Sequence, residues 1–147
     1  MNYAIVLRLL SYILLTEGAL LLLPAVASLC YGEWFVMGVF LFTAALSALA
    51  GALFHRVKAK SQIFYMREGF VTTALCWLLI SVVGAVPFVL TGCIPNPVDA
   101  LFETVSGFTT TGASILPAVA DLPKGILFWR SFTHWIGGMG VLVFLLS

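Results

Sequence analysis

The sequence predicts an all-α integral membrane protein, with two leading transmembrane helices followed by one unit built as helix, re-entrant loop, helix. Three observations carry this. Of the 147 residues, 62% are hydrophobic and only 9% are charged, where a soluble domain has roughly a quarter charged. Apolar runs long enough to cross a hydrocarbon core, which takes about 20 helical residues, recur along the chain. Between the third and fourth of them sits a segment too polar to span and too apolar to run free in water. In lipid every backbone polar group needs an internal partner, so the spanning segments are helices.

The first run extends from Tyr3 to Leu29 and is interrupted by Arg8 and Glu17; the second, Trp34 to Phe54, carries no charge. Together they make a leading pair of helices over residues 1–55. Residues 56–67 hold Arg56, Lys58, Lys60 and Arg67, and such a basic connection marks the cytoplasmic side. That places the N-terminus inside and the Asn96 to Lys124 region outside. The remaining unit, 68–147, begins with an outer helix at 68–91 and ends with an inner helix at 125–147, which carries Arg130 and His134. Glu17, apolar-flanked at membrane depth, calls for an interhelical bond. Trp34 and Trp129 suit the outer aromatic belt, and Trp77 and Trp135 suit packing or interfacial positions.

Several classes fall away on composition. Seven Lys/Arg against six Asp/Glu leave a formal charge of +1, too little for a phosphate-tracking surface, so nucleic acid is not an expected partner. Cys30, Cys76 and Cys93 form no C-x-x-C pair and no zinc set, and read as apolar packing residues. No serine, aspartate or histidine cluster provides a nucleophile or a metal set, so neither an enzyme nor a resident cofactor is expected. The first apolar run lacks the small-residue cleavage site and polar mature sequence of a signal peptide, and it is expected to stay in the membrane.

Between the outer and inner helices, Asn96 is a good N-cap, Pro97 suits the first helical position and Asp99 the positive end of the helix dipole. Leu101, Val105 and Phe108 then recur at helical spacing. A helix over 97–108 spans roughly half the hydrocarbon thickness at 1.5 Å per residue, and so enters the membrane and stops. The next residues, 109–114, are Thr109-Thr110-Thr111-Gly112-Ala113-Ser114. An extended strand at this depth is tolerated only where it lines a cavity or is buried in protein. Carbonyls aimed into such a cavity can replace the hydration shell of a monovalent cation, and glycine permits the dihedrals that aim them alike. Taken alone, T-T-T-G is an ordinary Thr-rich turn; set between a half-helix and a spanning helix, it resembles the pore loop of the helix, pore loop, helix unit of the potassium-channel superfamily.

The run LFETVSGFTTTGAS at Leu101 to Ser114 and the run WRSFTHWIGGMG at Trp129 to Gly140 resemble the first pore repeat of the Trk/Ktr/HKT potassium transporters, in particular the TrkH-type pore subunit. The two leading helices resemble that subunit as well. The resemblance implies K⁺ uptake, with K⁺ held at Thr110 and Thr111 and filter carbonyls supplied by Thr110, Thr111, Gly112 and Ala113; Thr109 and Ser114 flank them. It implies four such repeats around one pore, so that this chain supplies one quarter of the filter and corresponds to the N-terminal portion of a transporter. It further implies a homodimer, a cytosolic nucleotide-binding regulatory subunit of TrkA/KtrA type, and a multi-pass location in the bacterial inner membrane. A non-conducting assembly module, or a piece inactive on its own, is the competing reading. The residues leave open whether movement is channel-like or a symport with H⁺ or Na⁺, and whether K⁺ is preferred to Na⁺.

Glu103 and Arg130 are the candidate filter supports, either as a buried pair bracing the filter or separately, with Arg130 snorkelling to the headgroups. His134 reads as a hydrogen-bonded packing residue rather than a proton sensor. Gly137, Gly138 and Gly140 allow close helix approach, with a gating hinge as the alternative.

Overall fold

The computed structural model describes residues 3–57 and 66–146, and every regular element among them is a helix. In order these are α1 (Tyr3–Leu20), α2 (Leu22–Cys30), α3 (Trp34–His55), α4 (Met66–Leu90), α5 (Pro97–Phe108) and α6 (Lys124–Leu146). Among the described residues, three stretches are long and apolar enough to cross a membrane: Tyr3–Cys30, Trp34–His55 and Arg67–Leu90. At 23 residues, α6 is about 34 Å long. Most of the basic connection, residues 58–65, lies outside the described residues.

The first spanning stretch is two helices in series rather than one continuous helix. Pro24 lacks an N–H and its ring crowds the carbonyl four residues back, at Leu20. Glu17 O still accepts from Leu21 N at 2.9 Å and Leu21 O from Ala25 N at 3.4 Å, so the axis continues past a single irregular residue. Small residues bring α1 against α3: a Cβ added at Gly18 would lie 3.1 Å from the Ala44 carbonyl oxygen, and one at Gly51 2.9 Å from Leu15 Cγ. The Ser47 hydroxyl crosses this interface to donate to the Leu14 carbonyl at 2.7 Å. Close backbone approach with hydroxyl bridges is how helices associate in lipid, where apolar burial gives no preference for another helix over acyl chains.

The core gathers around Trp129, Phe40, Phe88, Phe108 and Ile126. Trp129, expected in the outer aromatic belt, is fully buried, whereas Trp34 is 67% exposed. Glycine at position 84 explains the difference. Trp129 Nε1 donates to the Gly84 carbonyl at 2.9 Å, and a Cβ on Gly84 would meet Thr104 Cγ2 at 2.8 Å and Phe108 Cε2 at 3.1 Å. The indole thus has its donor satisfied inside the bundle and no need of the interface.

Two contacts fix the ends of the bundle. At one end Ser11 Oγ lies 3.4 Å from His55 Nδ1 and Tyr12 stacks edge-on against the same ring. At the other, the Glu33 carboxylate accepts from Lys124 N at 2.7 Å and Gly125 N at 2.9 Å, capping α6 from the α2–α3 connection. An anion at those free N–H groups complements the positive end of the helix dipole. Gly125 is required there, since a side chain would run into the Ser28 hydroxyl.

Candidate cation-conducting loop

Helix α5 is capped as its sequence dictates: Asn96 Oδ1 accepts from Val98 N at 3.1 Å, Pro97 opens the helix and Asp99 lies in its first turn. It is 12 residues long, about 18 Å. It stops beside the middle of α6. Gly137 fixes that depth, because an added Cβ would collide with the Phe108 backbone. The same interface uses Gly107, where a Cβ would collide with the Thr133 side chain. Two glycines facing each other's helix let the backbones of α5 and α6 touch, and the negative end of the α5 dipole is thereby set beside the middle of α6.

Residues 109–115 are all exposed. No strand forms among them: a turn at Thr109 and Thr110 runs into irregular backbone, because the last N–H groups fold back onto α5. Thr110 N donates to Gly107 O at 3.0 Å and Thr111 N to Ser106 O at 2.9 Å. Thr110 has φ 57 and Gly112 φ 75, with Thr111 between them in the ordinary negative range. Two left-handed residues two positions apart break the alternation of an extended strand. Gly112 has nothing within 4 Å of an added Cβ, so it is the dihedral and not space that calls for glycine.

The side chains around this run tie it to the two helices. Thr109 Oγ1 donates to Val105 O at 2.7 Å and lies 2.8 Å from Thr111 Oγ1. The Ser106 hydroxyl donates to the Ala113 carbonyl at 2.6 Å, which directs one lone pair of that oxygen back towards α5. Ser114 Oγ donates to both oxygens of Glu103 at 3.1 Å and accepts from Leu116 N at 3.2 Å. Glu103 Oε2 also accepts from Ile115 N at 3.1 Å, and Oε1 accepts from Arg130 Nε at 2.6 Å. Glu103 and Arg130 are therefore one ion pair, and snorkelling is not what Arg130 does. The carboxylate joins α5, α6 and the backbone just past Ser114 through charge-assisted bonds.

His134 Nδ1 donates to the Arg130 carbonyl at 2.8 Å, which also accepts from the Thr133 hydroxyl at 2.7 Å. Ser106 and Glu33 are site residues that sequence reasoning does not reach. Ser106 bonds seven residues ahead across a turn, which leaves no periodic trace, and Glu33 meets α6 from 91 residues away. Among the described residues no group of three or more His, Cys, Asp or Glu is placed to hold a metal ion. Oxygens of the exposed backbone are what this loop offers a cation.

Residues 36–147 match the TrkH family, described as cation transport proteins. The chain is 38% identical over 138 residues, 94% of its length, to an uncharacterized cation transporter of Methanocaldococcus jannaschii, of which it covers 29%. It is 33% identical to a Trk system potassium uptake protein TrkH of Halomonas elongata and 34% identical to that of Escherichia coli, in each case over 97% of this chain and 30% of the relative. It thus spans about three tenths of the length of these relatives. The two runs, 101–114, which includes the loop, and 129–140, both fall within the matched residues, and the chain belongs to the TrkH family of cation transport proteins.

Proposed function

We propose that this chain moves K⁺ across a cell membrane, the bacterial inner membrane by family resemblance, and supplies one of four pore repeats. One observation carries the reading: a half-helix that stops at Phe108 against Gly137, followed by exposed backbone with left-handed φ at Thr110 and Gly112. A helix C-terminus aimed at an exposed row of carbonyls favours a partly dehydrated cation. The names of the relatives, potassium uptake proteins of a Trk system, point to K⁺ as that cation. Thr110, Thr111, Gly112 and Ala113 supply the carbonyls, with K⁺ at Thr110 and Thr111. Thr109 and Ser114 flank them, and Glu103 with Arg130 holds the row from behind. The outer helix, half-helix, filter and inner helix of residues 68–147 form the pore unit, and residues 1–55 buttress it. The other sides of the ring come from the remaining repeats, with a second copy of the transporter and a cytosolic nucleotide-binding subunit of TrkA/KtrA type as partners.

The test is Gly112→Ser in the full-length protein, expressed in a bacterium that lacks K⁺ uptake. Growth on limiting K⁺ is expected to fail or Na⁺ to enter, at normal membrane expression, because only a few carbonyls move. Unchanged growth and unchanged Rb⁺ and Na⁺ fluxes would refute the filter and leave residues 109–114 as a packing loop.

A further inference from the structure

Helices α1 and α3 leave a groove of about 420 Å³ along their shared outer surface, lined by Leu15, Ala19 and Leu22 of α1 and by Leu41, Ala45 and Ala48 of α3. Two rows of positions run from it to the same end of the bundle, since residues three and four apart share a helix face. On α1 the row passes from Leu22, Ala19 and Leu15 to Tyr12 and Arg8, all of them exposed. On α3 it passes from Leu41, Ala45 and Ala48 to Ala52, His55 and the adjoining Arg56, where Ala48 alone is half-buried and the rest are exposed. Tyr12 stands edge-on against His55 with ring centroids 5.5 Å apart, so the two rows meet at this basic end. Neither Arg8 nor Arg56 meets a carboxylate among the described residues, and Lys58 and Lys60 follow in the sequence.

We infer that this groove seats an acyl chain of an anionic phospholipid whose phosphate is held by Arg8 and Arg56. Three features select that ligand. Guanidinium groups without a carboxylate partner present donor forks that match a phosphate, and basic residues beside a spanning helix draw anionic lipid. Depth agrees with this: Ala19 lies about 16 Å from Arg8 along α1 at 1.5 Å per residue, and one leaflet of hydrocarbon is about 15 Å thick. A chain that starts at the arginines therefore ends within the groove. Between the two, Tyr12 is 51% exposed, and its amphipathic ring suits the boundary of headgroup and acyl chain. A zwitterionic lipid brings its own cation to the arginines, and a soluble phosphate leaves the apolar groove unused. A further helix of the transporter, the rival occupant in lipid, answers the groove but not the two charges at its end. The site lies on α1 and α3, apart from residues 109–114, and stands whether or not they carry K⁺.

The experiment titrates dioleoylphosphatidylglycerol, dioleoylphosphatidylcholine and glycerol 3-phosphate into the delipidated full-length protein in neutral detergent and follows its thermal unfolding midpoint. Phosphatidylglycerol is expected to stabilise at about thirtyfold lower concentration than phosphatidylcholine, the ratio that two arginines beside an anionic headgroup supply. Glycerol 3-phosphate is expected to have no effect. Replacing both arginines, Arg8→Gln with Arg56→Gln, should bring the two lipids to similar potency. Arg67→Gln, at an exposed position of α4 outside the groove, should leave the preference intact. Ala45→Phe fills the groove from an exposed position and should weaken the response to both lipids. Equal potency of the two lipids in the unaltered protein would overturn the assignment, as would a preference that survives loss of both arginines or falls as far with Arg67→Gln. Stabilisation by glycerol 3-phosphate as potent as that by phosphatidylglycerol would overturn it in favour of a soluble anion. No response to either lipid, together with a lower midpoint for Ala45→Phe, would overturn it in favour of another segment of the transporter. Should the double arginine variant not accumulate, Ala45→Phe decides, since an undiminished response to phosphatidylglycerol with the groove filled places binding elsewhere.

Discussion

Arg130 and Glu103 meet at 2.6 Å across the interface of α5 and α6, and they differ in exposure: the arginine side chain is 19% exposed and the glutamate side chain 1%. The difference makes the loss of one partner unlike the loss of the other. Arg130 lies less than two turns from the start of α6 and has a path to water for its guanidinium. Glu103 has none, and it also holds Ser114 Oγ and Ile115 N.

Arg130→Gln is therefore expected to be the more damaging change, because it strands a buried carboxylate. Loss of one partner of a buried pair commonly costs about 3–5 kcal/mol. Glu103→Gln keeps an acceptor for Ile115 N and lets Arg130 turn outward, so its cost should be smaller. The double change should be milder than Arg130→Gln alone. Thermal unfolding midpoints of the full-length protein would show this order; additive losses would mean that the two side chains do not depend on each other.

The glycines of α6 make separable predictions. Gly137→Ala drives a methyl into the Phe108 backbone, which has no flexible end to give way, and should abolish K⁺ uptake or folding. Gly140 has open space around it, so Gly140→Ala should be neutral or stabilising by up to about 1 kcal/mol through helix propensity. A hinge would require flexibility at both. Loss of transport at normal expression in Gly140→Ala would favour the hinge over packing.

How much of the fold and site is legible in the sequence depends on the range of each signal. Asn96, Pro97 and Asp99 announce the start of α5 because capping is local, and Phe108 ends it where the hydroxylated run begins. Glu103 and Arg130 are recognisable as charges in need of partners; that they partner each other depends on how α5 and α6 are brought together at Gly107 and Gly137. Trp129 reads as interfacial because its acceptor, the Gly84 carbonyl, lies 45 residues away. Glu17 is visibly costly at its depth, yet among the described residues neither of its carboxylate oxygens has a hydrogen-bond partner. Ser106 carries no sequence signal, as its acceptor is a backbone carbonyl beyond a turn.

Glu33 links the leading helices to the inner helix through two backbone N–H groups of α6. Glu33→Ala should cost about 0.5–2 kcal/mol, the range of a lost helix cap, and Glu33→Gln less, since one amide oxygen can still accept. Amide hydrogen exchange at Lys124 to Leu127 should rise in the alanine variant and remain slow in α3. Equal protection in both variants would show that α6 is held by packing alone.

Thr110 sits at φ 57, where a β-branched residue is out of place and left-handed backbone costs roughly 1–2 kcal/mol. Glycine there would relieve that cost, offset by the roughly 0.4–1 kcal/mol that its freedom adds to the unfolded chain. Thr110→Gly should thus leave stability unchanged or slightly raised. If Thr110 also aims a carbonyl, the same change should weaken discrimination of K⁺ from Na⁺, because the residue no longer holds one dihedral. Strain kept at a position that works is strain with a use. Paired measurements of unfolding midpoint and of Rb⁺ and Na⁺ flux separate the two effects: a Thr110→Gly protein with intact stability and intact selectivity would remove Thr110 from the filter, while lost stability would mean that the threonine side chain packs more than its exposure suggests.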